Sequence, residues 1–210
     1  MKKEHKIVIL ANGLFPSEQR CLNILKSAEK IICCDGAADK LIDSGLMPQV
    51  IIGDLDSLSD QAKDQHKSIL IRDEDQESND LTKAVHYCME QGYASVSILG
   101  ATGLREDHTL GNISLMLEYF PEIEVEIISD FGRFFLVQSG EPVRSRVGEK
   151  ISIFSVDNRV RVSALGLKYP LEDLQLSKWY TASLNEAAAD QFTLHYASDG
   201  PLIVYKAWQG

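Results

Sequence analysis

Two short apolar runs in this chain, Ile31–Cys34 and Val50–Ile52, each end on a carboxylate. These are Asp35 and Asp54, and Asp56 follows two residues later. Residues at the C-terminal end of a buried parallel strand face the crevice where α/β proteins hold ligands. Gly36 and Gly53 flank the carboxylates and permit close backbone approach. Aspartates two apart in an extended loop can share a hard cation, with Leu55 between them expected to point inward. Asp56 equally suits a cap on the helix predicted from Ser59. A second cluster, Asp80, Thr82 and Lys83, opens a predicted helix, where the positive helix end and the lysine suit a phosphate. A third is the corner Gly100-Ala101-Thr102-Gly103-Leu104-Arg105-Glu106-Asp107-His108, with Asn112 one turn on. Gly103 frees the loop to present N–H groups, Arg105 is a candidate fork for an anion, and His108 and Asn112 share a helix face. Asn12-Gly13 closes the first apolar run, as a tight turn or as a ligand contact. The chemistry these types support is a metal or ribose contact by the carboxylates and the gripping of a metal-bound polyphosphate. Neither a Walker A sequence nor G-x-G-x-x-G occurs, so a nucleotide is held another way.

The elements that must position these residues alternate. Strands are predicted over Lys6–Ala11, Ile31–Cys34, Val50–Ile52, Ser68–Ile71, Ser95–Leu99 and Glu124–Ile128. Helices are predicted over Glu18–Ser27 with Ser17 as cap, Ala37–Ser44 ending at Gly45, Ser59–Lys67, and from Ser78 or Asn79 to Gln91. Another runs from the Gly100–Glu106 loop to just before Pro121. Strands separated by helices imply a mostly parallel sheet. After Asp130 the pattern changes to short β-type runs punctuated by Gly, Pro and Asn: Phe134–Gln138, Val143–Val147, Lys150–Val156, Arg159–Ala164, Gln191–Tyr196 and Leu202–Ala207. The fold class expected is therefore α/β, a nucleotide domain over 1–133 followed by a small all-β sandwich over 134–210.

The 210 residues allow one large or two small domains, and the 44% hydrophobic content is that of an ordinary globular chain. A net charge of −10 with no basic patch argues against nucleic acid as a partner. The start, MKKEHKIVIL, has the charge of a signal peptide but too short an apolar run, and no segment is long enough to span a membrane. The four cysteines form no C-x-x-C pair and read as reduced core thiols of a cytoplasmic protein.

Taken together, D-G-A-A-D-K-L, P-x-x-I-I-G-D-L-D-S, N-D-L-T-K-A and L-G-A-T-G-L-R-E-D-H-T-L-G-N resemble, in order and spacing, the motifs of the thiamine pyrophosphokinase family. The resemblance spans nearly the whole chain, including the change to a β domain. It implies a homodimeric enzyme that transfers a diphosphate from Mg-ATP to the hydroxyl of thiamine and releases AMP. It assigns Asp54, Asp56 and Asp80 to Mg2+ and catalysis, with Asp35 nearby. Asn12, Gly36, Thr82, Lys83, Gly103, Arg105, Asp107, His108 and Asn112 fall to the ATP site. In the β domain it assigns Tyr169, Ser183 and Asn185 to thiamine, although Ala182 and Leu184 stand where the family usually has serines. Tyr169 or Trp179 would stack on the thiazolium. Two rival classes are a D-x-D nucleotide-sugar transferase and a non-catalytic nucleotide or thiamine sensor.

Overall fold

Apolar runs become buried strands and the polar, periodic stretches between them become helices. A computed structural model describes residues 6–75 and 77–209 of the chain. The first five residues of the signal-like start lie outside them. The chain divides into two compact units, the first ending at Asp130 and the second beginning at Phe131.

The first unit runs β1 (Ile7–Leu10), α1 (Gln19–Ser27), β2 (Lys30–Cys34), α2 (Ala37–Asp43), β3 (Val50–Gly53), α3 (Asp60–Gln65), β4 (Leu70–Arg72), α4 (Asp80–Glu90), β5 (Ser95–Leu99), α5 (Glu106–Tyr119) and β6 (Glu124–Ser129). The strands pair in the order β6-β5-β1-β2-β3-β4, and every pairing in that series is parallel. β1, β2 and β3 are wholly apolar or nearly so because helices cover both faces of such a sheet. The chain winds outward from β1 through β2 to β4, then crosses back to β5 on the other side of β1. The gap between the C-terminal ends of β1 and β5 is thus the topological switch point, where a doubly wound sheet opens a crevice.

Two caps differ from the sequence reading. Ser17 does not cap α1. Glu18 holds that position without a side-chain bond, and Asp130, from the end of β6, accepts the N–H groups of Ser17 and Glu18. A carboxylate brought by the tertiary fold outcompetes a local hydroxyl, which itself donates to Asp130 at 2.7 Å. Ahead of α3 the cap is Ser59, whose Oγ accepts the Ala62 N–H, and this releases Asp56 from that duty. Asn79, of the two candidates named, caps α4.

The second unit is all β: β7 (Gly132–Val137), β8 (Pro142–Arg144), β9 (Lys150–Phe154), β10 (Arg161–Leu165), β11 (Leu171–Gln175), β12 (Ala182–Glu186), β13 (Gln191–Tyr196) and β14 (Leu202–Ala207). One sheet pairs in the order β12-β9-β14-β7 and the other β11-β10-β13-β8, all antiparallel. Ile151, Ile153 and Val204 of the first sheet meet Val162, Phe192 and Leu194 of the second in one buried core. Inner faces packed in this way make a sandwich.

Candidate active site

The carboxylates converge, with one exchange of partner relative to the sequence reading. Carboxylate oxygens of Asp35, Asp54 and Asp80 lie within 4.8 Å of one another. Asp35 follows β2 and Asp54 follows β3, so adjacent parallel strands deliver them side by side. Asp80 is the first residue of α4, and the Cys34 thiol donates to its carbonyl at 3.5 Å. Asp56 stands outside this group and is exposed. Its N–H donates to Asp54 Oδ1 at 3.0 Å, closing a turn in which Leu55 is left-handed, φ 67°, and half-buried instead of inward-facing. Gly53 is required beneath the cluster, since a Cβ there would stand 3.0 Å from Asp35 Cβ and 3.1 Å from the Asp80 carboxylate.

The electrostatics of the cluster suit a cation. Asp35 is buried, and its Oδ2 accepts the Ser57 N–H at 2.8 Å. Its Oδ1 is buried without any hydrogen-bond partner among the described residues. Such an oxygen carries its desolvation cost uncompensated unless something positive meets it. Burial pushes the Asp80 carboxyl up from its ordinary value and the charges of Asp35 and Asp54 add to this, while Lys83 opposes them. Three clustered carboxylates with an orphaned oxygen are a donor set for a hard divalent cation. Asp35, Asp54 and Asp80 would hold it.

Lys83 serves this cluster from behind. Its ammonium is buried, donates to the Asp73 carbonyl at 2.9 Å and sits 3.5 Å from Asp80 Oδ1. Thr82 is also buried, its Oγ1 bonded to the Tyr119 hydroxyl at 2.9 Å. Both were expected at the nucleotide; in this conformation both face inward from α4.

Beside the carboxylates, a cleft of about 300 Å3 opens at the switch point. Its lining includes Asn12, Asp80, Arg105, His108 and Asn112, which come from three separate stretches of the sequence. The loops after β1 and β5 touch backbone to backbone: a Cβ on Gly13 would come 2.2 Å from the Gly100 carbonyl oxygen. Arg105 directs its fork at Asp107, Nε to Oδ1 at 3.1 Å and Nη2 to Oδ2 at 2.5 Å. These bonds hold the Asp107 carboxyl down to about 2. His108 is exposed, and its N–H donates to Asp107 Oδ1. Asn112 is buried; it donates to the Ala101 carbonyl at 2.8 Å and accepts from the Asn79 amide at 3.2 Å. It therefore locks the loop carrying Gly103 and Arg105 to the cap of α4. Asn12 meets Lys40, whose Nζ donates to its Oδ1 at 2.9 Å. Asn79, which also lines the cleft, was missed as a site residue although it stands inside a quoted motif, because a helix cap explained it locally.

In the second unit, Asn185 is buried and accepts the Tyr169 N–H at 3.1 Å while donating to the Tyr169 carbonyl at 2.8 Å. It also accepts the Glu186 N–H, so its amide fastens the turn before β11 to β12. Ser183 donates to the Tyr180 carbonyl at 2.8 Å. The Tyr169 ring is exposed with Lys168 over it at 5.7 Å. Trp179 instead packs against Phe154 at 6.2 Å, extending a row with Phe134 and Tyr205.

Comparison with known proteins agrees over both units. Residues 21–127 match the family model described as "Thiamin pyrophosphokinase, catalytic domain", and residues 132–205 match "Thiamin pyrophosphokinase, substrate-binding domain". The chain is 28% identical over 196 residues to thiamin pyrophosphokinase 1 of Caenorhabditis elegans, covering 85% of this chain and 80% of that protein. It is 27% identical over 177 residues to the thiamine pyrophosphokinase of Bacillus subtilis, covering 80% and 82%. In fold, it superposes on the crystal structure of the Bacillus subtilis enzyme with a TM-score of 0.80 at 23% identity, covering 98% of this chain and all of that one. The yeast thiamin pyrophosphokinase structure gives 0.80 at 16%, covering 99% and 88%. With a catalytic-domain model over one unit and a substrate-binding model over the other, the chain belongs to the thiamin pyrophosphokinase family.

Proposed function

We propose that this chain is a thiamine diphosphokinase that uses ATP as co-substrate and Mg2+ as cofactor. The thiamine hydroxyl oxygen bonds to the β-phosphorus, the bridge from the α-phosphate to the β-phosphorus breaks, and AMP leaves with the bridging oxygen. The hydroxyl proton passes to a carboxylate of the site, Asp54 or Asp80. The observation that carries this reading is the buried, unpartnered Oδ1 of Asp35 beside Asp54 and Asp80. A divalent cation there supplies charge neutralisation along the polyphosphate.

The chain's own residues do the positioning, which is most of the catalysis in phosphoryl chemistry. Asn12, Arg105, His108 and the loop held by Asn112 line the cleft for ATP. Arg105 exchanges Asp107 for phosphate oxygens when the nucleotide enters. Lys83 and Thr82 keep Asp80 and α4 in place. Asp56 fixes the turn of Asp54 through its N–H. Gly36 leaves room beside Asp35, and Gly103 shapes the Arg105 loop. Thiamine falls to the second unit, at Tyr169, Ser183 and Asn185. The reading carries a homodimer, and the four buried free thiols suit a reducing, cytoplasmic setting.

Incubation with thiamine, ATP and Mg2+, followed by chromatographic resolution of the nucleotides, tests the reading. AMP and thiamine diphosphate should form in equal amounts and only with the metal present. ADP with thiamine monophosphate, or no turnover of thiamine, overturns it.

A further inference from the structure

We infer that Lys40 is a positioning residue for the nucleotide, acting through Asn12: it turns the Asn12 amide so that its N–H groups, and not its carbonyl oxygen, meet the polyphosphate. The inference rests on the ATP-dependent reading above and adds a residue to it.

The geometry is specific. Lys40 reaches from α2 to the end of β1, where its ammonium donates to Asn12 Oδ1 at 2.9 Å and to the Gly13 carbonyl at 3.0 Å. The Asn12 carbonyl lies further off at 3.4 Å. Every acceptor is an uncharged oxygen. The neighbouring Asp39 is committed elsewhere, taking the N–H and hydroxyl of Ser59. Burial pushes the Lys40 ammonium down from its ordinary value.

An ammonium has donors only, so an amide that meets one must turn its oxygen toward it. The other end of Asn12 is then fixed by elimination. Its Nδ2 lies over Gly36, 3.0 Å from where a Cβ would stand, and it has no protein acceptor among the described residues. Asn12 lines the cleft and is exposed. Flipped by half a turn, the same side chain would offer a carbonyl to an anion and repel it. An Asn at this site is useful to a phosphate only if its orientation is set, and Lys40 sets it. The fixed charge adds a favourable field in a protein of net charge −10.

The test measures Mg-ATP binding calorimetrically on the full chain and KM and kcat for ATP in turnover. Lys40→Met should weaken Mg-ATP binding about tenfold, the worth of one charge-assisted hydrogen bond. The loss should fall in KM for ATP, with the midpoint of thermal unfolding within about 2 °C of the parent. Lys40→Arg, which still donates to Asn12 Oδ1, should rescue most of the affinity, and it stands in should the Met variant fold poorly. The decisive step is a double-mutant cycle. In an Asn12→Ala background, Lys40→Met should cost nothing further. Additive losses would mean that Lys40 touches the nucleotide itself and would overturn the inference, as would unchanged binding in Lys40→Met. Failure of the unaltered protein to bind ATP at all would instead overturn the ATP-dependent reading.

Discussion

The backbone N–H of Ser57 donates to Asp35 Oδ2 at 2.8 Å and leaves Oδ1 of the same carboxylate buried without a partner among the described residues. One oxygen is thus anchored by the loop after β3, and the carboxylate stands in the group formed with Asp54 and Asp80. Such an arrangement is unfavourable to the empty protein. Like charges a few ångströms apart repel, and burial amplifies the repulsion. The same geometry is the donor set that the proposed Mg2+ would occupy.

Asp35→Asn should therefore separate stability from function. Ser57 keeps its acceptor, so the new NH2 lands at the orphaned position and can donate to Asp54 or Asp80. Without metal, the midpoint of thermal unfolding should rise by about 2–4 °C, the scale of 1 kcal/mol in a chain of this size. The stabilisation that Mg2+ gives the parent by binding its native state should largely vanish. Calorimetric scans with and without Mg2+ decide the matter. A lower midpoint together with an intact Mg2+ response would remove Asp35 from the metal group.

Asp54 and Asp56 should part company. Asp54 faces the cluster, whereas Asp56 is exposed and contributes its backbone N–H to the turn. Asp54→Asn should lower kcat by at least about a hundredfold, the scale of losing a group that meets developing charge. Asp56→Asn keeps that N–H and should cost less than about tenfold. Steady-state rates of the two variants under saturating Mg-ATP check the ranking, and equal losses would restore Asp56 to the metal set.

How far the sequence could be read depended on whether each signal was local. Strand ends carrying carboxylates are a local signal, and β2 and β3 emerged nearly as predicted, bringing Asp35 and Asp54 with them, while the capped start of α4 brought Asp80. The strand Leu171–Gln175 was missed because LEDLQ has no β-branched residue, and its pairing to β10 supplies what propensity does not. Ala182–Glu186 was missed for a related reason: its register shifts against β9, and Leu184 is left-handed at φ 58°. Long-range polar partners were illegible altogether. No local pattern announces that Asp130 caps α1 across more than a hundred residues, or that Lys83 turns inward to Asp73 and Asp80.

Lys83→Met should reveal that inward role. It leaves the Asp73 carbonyl without Lys83 and removes the cation beside Asp80. The loss should be about 2–3 kcal/mol, near the low end for breaking a buried pair because Asp80 is partly open to solvent. Urea denaturation with and without Mg2+ measures it. Saturating Mg2+ should recover much of the loss. A mutant as stable as the parent, but with weaker ATP binding, would return Lys83 to the phosphates.

The four cysteines offer a chemical check on the core. All are free and buried. Burial pushes Cys21 and Cys88 up to about 12, so almost no thiolate exists at neutral pH. A thiol-exchange reagent at pH 8 should find fewer than one fast-reacting group in the native protein and four after denaturation. Rapid reaction of one or more native thiols would show that α1 or α4 opens easily.

Asp130 makes a prediction about acid. Burial tends to raise its pKa, but the hydrogen bonds from Ser17, Glu18 and Cys21 outweigh burial and depress it. A carboxyl whose folded pKa lies below its unfolded value stabilises the protein above the unfolded value, near 3.9. That contribution is lost as pH falls through the folded pKa. Replacement by alanine removes the bonds at every pH. Asp130→Ala should therefore cost about 1–2 kcal/mol at pH 7, the worth of a helix-terminal carboxylate discounted for solvent screening. The gap between mutant and parent should close as pH falls from 4 toward 2. Urea titrations at pH 7, 5, 4 and 3, followed by helical circular dichroism, measure both curves. Parallel curves through the acid range would mean that the Asp130 hydrogen bonds do not depend on its charge.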